Sequence, residues 1–420
     1  MKTSRRTFLA ASGALAATVW AQSAGAQNVL QEILGSNRRG NWGDQFDAPG
    51  GTSVPASVVS NDPIMSIQTL ANVERAIAVQ SDIAARGGWP QVPATKRLAL
   101  GVTDPDVQIL RQRLMVSGDL SQSAGISPSY DTYVDQAMKR FQTRHGLPAD
   151  GVTGPHTFAA LNVSAPVRLG QLQTNLGRLN EMVAQQPANR FVMVNIPAAQ
   201  IEAVQADRVV SRHTAVVGKI DRQTPILSST INEVIVNPYW NAPESIVRRD
   251  IIPLMRDNPN YLAENGIRIL GPDGNEVDSA TIDWSTEEAA LLRFRQDPGR
   301  INAMASVKIN FPNPHAVYMH DTPQQSLFNQ IERFHSSGCV RVQNVRDLVT
   351  WLLAGTEGWD RRRFEQTILN DADVSVPLGD PAAVHFAYVS AWSTGDGVIH
   401  YRDDIYALDG AAELQISTAL

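Results

Sequence analysis

The spacing of apolar positions changes once along this chain. Before about residue 186 they recur every three or four residues; from about Arg190 they alternate. The first regime predicts helices, the second strands. Ile64–Arg86 (IMSIQTLANVERAIAVQSDIAAR) reads as one long helix stopped by Gly87-Gly88-Trp89-Pro90. Shorter helices follow at Val107–Leu114, at Tyr133–His145 with Val134, Ala137, Met138 and Phe141 on one face, and from Gly154-Pro155 to Leu161. Val167–Gln186 reads as a helical connector. Phe191–Ile196, His213–Gly218, Ile231–Val236 and Val307–Phe311 then alternate and are rich in β-branched residues, as strands are.

The expected architecture is multidomain α+β: a small three-helix module, then a β-rich domain with a mixed, sandwich-like sheet. Its parts are a helical N-terminal segment (64–103), the module (104–162), the connector (163–189) and the β-rich domain (190–420). Within that domain Asn241–Gly299 looks helical and irregular, as in Pro243–Asp250 and Glu287–Arg293. An insertion of that length predicts a cap over a site. Helices return at Asn344–Ala354 and Asp360–Leu369, where Arg361-Arg362-Arg363 reads as a solvated face, and Ala383–Val389 and Val398–Arg402 read as closing strands.

Residues 1–26 break the globular pattern. A basic head (Lys2, Arg5, Arg6), an apolar run of about 13 residues from Phe8 to Trp20 and Ala24-Gly25-Ala26 predict an export signal. The run falls short of the roughly 20 residues that cross a bilayer. Ser4-Arg5-Arg6-Thr7-Phe8-Leu9 resembles the twin-arginine address, which implies a periplasmic destination with no membrane span after cleavage. Residues 27–63, rich in Gly, Ser, Pro, Asn and Asp, read as a linker. The formal charge is −6, and −9 once Lys2, Arg5 and Arg6 leave. That excludes nucleic acid or an anionic membrane as partners held by bulk electrostatics. At 43% hydrophobic and 19% charged, the chain has material for real cores.

One cysteine in 420 residues, Cys339, allows no intramolecular disulfide. An exported lone thiol is reactive, half of an intermolecular bond, or inert and buried. Its setting favours reactivity. Ala316–His320 alternates as a strand ending at Asp321-Thr322-Pro323, Ser326–Phe334 predicts a helix or tight loop, and His335-Ser-Ser-Gly-Cys339-Val-Arg-Val342 follows. His320 precedes Cys339 by 19 positions, enough chain to fold the two together. A thiol attacks as thiolate and needs a neighbouring base. Ser336, Ser337 and Gly338 permit a sharp turn, so that the N–H groups of Gly338 and Cys339 can face a developing oxyanion.

Two resemblances attach to these residues. The pattern VQxLRxRL…AMKRFQxRHGLPADGVTGPxTFAALN resembles a peptidoglycan-binding helical domain over about 55 residues. YMHDTP…HSSGCVRV resembles the active-site signature of YkuD-type L,D-transpeptidases, and VNPYWNAPESI, GRINAMASVKINFPNPHAVYMHDTP and DDIYALDG resemble the larger periplasmic branch, which pairs such a module with a capping insertion. The resemblance implies Cys339 as nucleophile and His320 as general acid and base, with Gly338 in the oxyanion hole and Ser337 positioning the loop. Arg341, Tyr318 and Trp240 are implied around the substrate. Many members carry His directly before the Gly; here Ser337 stands there, and His335 lies off the matched position. The orienting contact to His320 is implied to come from a main-chain carbonyl, with the Asp321 side chain as the lesser candidate.

The implied reaction attacks the third residue of a peptidoglycan stem, expels D-alanine and passes the acyl group to a diaminopimelate amine, giving a 3→3 link with no cofactor or metal. Water or a free D-amino acid as acceptor would make the same enzyme an L,D-carboxypeptidase or an exchange enzyme; a non-catalytic wall-binding protein is the reading from another class. Zinc at His320, His335 and Cys339 lacks a fourth ligand at regular spacing. Papain-like peptidases carry Cys before His, the reverse of this order.

Overall fold

The computed structural model describes residues 60–185, 188–370 and 372–415; the signal (1–26) and residues 27–59 of the linker lie outside the described residues. The helical half follows the periodicity. α1 (Ile67–Ala85) is capped by Ser66, whose hydroxyl accepts from Thr69 N–H. α2 (Pro105–Val116), α3 (Thr132–Arg144) and α4 (Pro155–Asn162) form the module, with Asp104 and Asp131 as N-caps. Leu110, Leu114, Val134, Met138, Phe141 and Leu161 fill one core between them. α5 (Ala165–Ala184) leads on and packs with α1 through Leu172, Leu179, Val73 and Ala76.

The β-rich half is built on β1 (Arg190–Asn195), β2 (Gln200–Gln205), β3 (Arg208–Gly218) and β4 (Leu227–Val236). The cap strands β5 (Trp240–Ala242), β6 (Ile267–Leu270), β7 (Glu276–Val277) and β8 (Arg293–Gln296) come next. The main sheet resumes with β9 (Val307–Asn310), β10 (Met319–His320), β11 (Phe334–Ser336), β12 (Val340–Val342) and β13 (Val374–Ala387). A hairpin of β14 (Ala391–Ser393) and β15 (Ile399–Tyr401) ends the ordered strands. Helices α6 (Val345–Leu352) and α7 (Arg361–Leu369) precede β13.

The main sheet runs β11-β3-β12-β10-β9-β4-β13-β1-β2 and is mixed, with β10 parallel to β12 and β1 parallel to β13. It also closes, because β3 pairs with β2. Where the sequence suggested a sandwich, the sheet is barrel-like. The cause is the length of β3: its first seven residues pair with β2 and its later ones with β12 and β11. Closure leaves fewer open edges. Its interior is lined by Val194, Ile201, Ala215, Val234, Ile309, Met319, Val340 and Val384, and Leu348 and Phe364 from α6 and α7 join the same core.

The insertion departs from its helical expectation. A helical run over 244–257 is present, but β5, β8, β6 and β7 form a four-stranded sheet beside it. Ile267-Arg-Ile-Leu and Arg293-Phe-Arg-Gln alternate with period two, and Glu288–Leu291 closes only a single 3₁₀ turn. Four-residue strands leave too short a trace to outweigh helix-forming Glu, Ala and Leu. Val247, Ile251, Met255, Leu262 and Phe294 give the insertion its own small core. Among the described residues no helix is long and apolar enough to cross a membrane.

Strand alternation gives β9 one buried and one polar face, and the two should separate in stability. Ile309, fully buried between Val234 and Met319, should cost about 2–5 kcal/mol when replaced by Ala. Asn310→Ala, on the outer face, should cost less than about 1.5 kcal/mol. Urea unfolding of both variants checks the difference.

Candidate active site

The register of four strands sets the site. Tyr318 precedes β10, Cys339 precedes β12, and Met319 lies opposite Val340 while His320 lies opposite Arg341. Side chains alternate, so Met319 and Val340 point to the core while Tyr318, His320, Cys339 and Arg341 share the outer face. On β9, Lys308 stands opposite His320, and Asn310 and Glu233 continue that face onto β4. His320 and Cys339 are one diagonal step apart, roughly 7–8 Å between backbone positions. No hydrogen bond joins them among the described residues. That leaves room for an attacked carbonyl, and contacts of this kind tighten on substrate binding.

His320 is buried, at 7% exposure. Its Nδ1 contacts the main-chain oxygen of Asp321 at 2.6 Å, which fixes Nδ1 as the protonated nitrogen and leaves Nε2 as the base. The Asp321 carboxylate is engaged elsewhere, accepting from Ser306 Oγ (2.5 Å), Ser306 N–H (3.2 Å) and Thr322 N–H (2.8 Å). Burial, reinforced by the charges of Arg341 and Lys308, lowers the His320 pKa to about 3. Burial also raises that of the partly exposed Cys339, against the pull of Tyr318, Lys308 and Arg341. At neutral pH the pair is therefore thiol and neutral imidazole.

The loop bearing Cys339 is held from four sides. Ser336 Oγ donates to Cys339 O at 2.5 Å and accepts from Gly338 N–H at 3.1 Å. Thr224 Oγ1 donates to Gly338 O (2.9 Å) and accepts from Gly218 N–H (2.8 Å). The Tyr406 hydroxyl donates to Gly218 O (2.7 Å) and accepts from Thr224 N–H (3.1 Å). Arg222 donates to Ser337 Oγ (3.0 Å) and pairs with Asp250 of the cap (2.6 Å), tying loop to cap. Gly338 has φ +112°, which side chains rarely adopt, and a Cβ on Gly218 would meet Arg222 O at 2.2 Å.

Every residue singled out in the sequence lies at this site except His335, whose Nε2 is spent on Glu332 O at 2.8 Å. One expectation changes. Gly338 N–H is already bonded to Ser336 Oγ, so the open main-chain donor in this turn is Cys339 N–H, with no acceptor among the described residues. Tyr318 interacts with both Cys339 and Trp240, and Trp240 packs on the cap core. Arg341 donates to Gln324 Oε1 at 2.6 Å, while its Nε is buried without a partner. Lys308, Thr224 and Arg222 were not singled out, Ser336 was read only as a small turn residue and Tyr406 only as part of DDIYALDG; Lys308 was visible as a polar position of an alternating strand.

Beside Tyr318 and Lys308 an open cleft of about 760 Å³ runs between the polar face and the cap, lined also by Glu233, Asn241, Asn310 and Asn313. It has the size of a small-ligand or peptide site. Among the described residues no cluster of three metal-ligating side chains is present.

Comparison with known proteins places these features in context. Residues 189–363 match the YkuD family, described as an L,D-transpeptidase catalytic domain, and residues 103–161 match a "Putative peptidoglycan binding domain". A Haemophilus influenzae protein named "Putative L,D-transpeptidase" is 36% identical over 219 residues, covering 52% of this chain and 44% of that protein. The chain thus spans less than half the length of this curated relative. Among solved structures, an L,D-transpeptidase from Mycobacterium smegmatis is 14% identical, with 48% of this chain and 59% of that chain covered at a TM-score of 0.24. One from Stackebrandtia nassauensis is 13% identical, with coverage of 70% and 96% at the same TM-score.

The electrostatics predict how the thiol reacts. Iodoacetamide alkylation of Cys339 should rise with pH to a midpoint above the ordinary thiol value of about 8.5. Lys308→Met should move the midpoint higher, because Lys308 favours the thiolate. Rates already level below pH 8 would contradict this.

Proposed function

We propose that this chain, whose residues 189–363 match a YkuD L,D-transpeptidase catalytic domain and residues 103–161 a peptidoglycan-binding domain, forms 3→3 cross-links between stem peptides through a thioester on Cys339. The observation that supports this most is the shared face. Cys339, His320 and Tyr318 stand together on the polar side of the sheet, next to a cleft wide enough for a peptide.

In the proposed first step the Cys339 thiol gives its proton to His320 Nε2 as Sγ attacks the carbonyl of the third stem residue. Neither group is charged at rest, so proton transfer accompanies attack. The oxyanion meets Cys339 N–H, with Arg341 and Lys308 adding positive potential. As the C–N bond breaks, the imidazolium returns its proton to the departing D-alanine amine. The same cations that disfavour an imidazolium make it a strong acid at that moment. A diaminopimelate amine of a second stem then attacks the thioester, passes its proton to His320, and Cys339 leaves and is reprotonated. Splitting one amide exchange into two acyl transfers needs no nucleotide. No cofactor or metal enters the scheme.

Tyr318 and Trp240 line the approach, Arg341 meets a substrate carboxylate, and Ser337 positions the loop through Arg222. A cell-wall substrate places the protein outside the cytoplasm, and Ser4–Leu9 supports periplasmic delivery by the twin-arginine route.

Product analysis tests the proposal. The full chain incubated with tetrapeptide muropeptides should yield dimers linked 3→3, none with Cys339→Ala, and about 10²–10⁴-fold slower formation with His320→Gln. Tripeptides without dimers would make water the acceptor and the protein an L,D-carboxypeptidase. Unaltered dimer formation by Cys339→Ala would remove the proposal.

A further inference from the structure

Away from the active site, α2, α3 and α5 meet hairpin β14–β15 around a cavity of about 340 Å³. Three arginines from three helices converge on it: Arg113, Arg144 and Arg168, exposed only 1%, 6% and 2%. Arg144 is neutralised by Asp119 through two parallel bonds, Nε–Oδ1 at 2.8 Å and Nη2–Oδ2 at 2.6 Å. Arg113 and Arg168 have no such partner. Among the described residues neither forms an ion pair, and Arg113 Nη1, Arg168 Nε and the Tyr401 hydroxyl are buried with no hydrogen bond. An unpaired buried cation is among the most expensive arrangements a fold tolerates.

These side chains are not loosely placed. The Arg113 guanidinium lies 3.8 Å from the Trp89 ring centroid, and its Nε donates to Leu161 O at 2.8 Å. Arg168 sits 4.6 Å over the Tyr401 ring, and its Nη1 donates to Gln171 Oε1 at 2.8 Å. Arg168 Nη2 also donates to Ala160 O at 3.5 Å, and Arg113 lies 5.4 Å from the Phe141 ring centroid as well, so each guanidinium is held by hydrogen bonding and ring contact while part of its donor set stays unpaired. Exposed Val79 and Val116 line the mouth, giving a route from solvent.

We propose that this cavity is an oxyanion-binding site, taking one carboxylate or phosphate group between Arg113, Arg168 and the Tyr401 hydroxyl. The bound group supplies the missing counter-charge and the missing acceptors, and Tyr401 adds a neutral donor. Burial first, then repulsion from Arg144, lowers the Arg113 pKa well below its ordinary value; burial lowers that of Arg168 to about 10 despite the nearby Tyr401 and Asp403; a bound anion would relieve both. The ligand would join module helix α2, connector helix α5 and hairpin β14–β15, setting how firmly module and catalytic domain hold together. The inference is independent of whether Cys339 is the nucleophile.

Thermal unfolding of the full chain tests it, with sodium phosphate, sodium acetate or a tripeptide stem titrated at ionic strength held constant with sodium chloride. At least one oxyanion should raise Tm along a saturating curve. Arg113→Gln and Arg168→Gln should each weaken the apparent affinity at least tenfold while dimer formation stays within about threefold. Saturation at lower concentration with phosphate identifies a free-phosphate site; with the stem peptide, a peptidoglycan carboxylate. Because either variant can lose stability, the Arg168 Nε–H resonance of the unmodified protein gives a second reading, shifting saturably with the same anion. A Tm rise matched by chloride, or an unmoved Nε–H resonance, overturns the proposal.

Discussion

Everything at the candidate site depends on one constraint: residues paired across neighbouring strands share a face, and successive residues along a strand alternate between faces. Met319 and Val340 are fixed in the core, so Tyr318, His320, Cys339 and Arg341 have no choice of side. A slip of one residue in this pairing would bury the thiol and expose Val340. β10 is only two residues long, but β9 and β12 flank it and hold its register from both sides. Burial of the hydrophobic partners thereby fixes the reactive ones.

On that frame, polar contacts supply aim. Ser336 closes the turn before Cys339, Thr224 holds it from the loop after β3, and Tyr406 of the C-terminal segment braces Thr224 and Gly218 in turn. Arg222 links the turn to Asp250, so movement of the cap is felt at Ser337. The potential around the pair is positive, and its consequence is asymmetric. It eases formation of a thiolate and of an oxyanion while keeping His320 unprotonated at rest.

Much of this was legible in the sequence, for identifiable reasons. The 3.6-residue period placed α1 to α5 within a few residues, because each buries one continuous stripe. The lone thiol, the strand-terminal His320 and the small residues between Ser336 and Gly338 pointed to one turn. Closure of the sheet was not legible, since it depends on β3 pairing with two different neighbours along its length. Nor was the cap sheet, whose strands hold four residues or fewer. Thr224 and Tyr406 act through hydrogen bonds across 114 and 188 positions, which no local pattern records. The bond from Gly338 N–H to Ser336 Oγ was not legible for a related reason: the serine that accepts it lies two residues away, and turn geometry alone decides the pairing.

The central claim is that Cys339 carries the acyl group, and intact-protein mass spectrometry reads that directly. After brief exposure to a tetrapeptide donor with no acceptor, the protein should gain the mass of the donor less D-alanine. Fragmentation should place that mass on Cys339 as a hydroxylamine-labile thioester. A protein that turns over donor without any adduct at Cys339, or with the adduct elsewhere, would contradict the account.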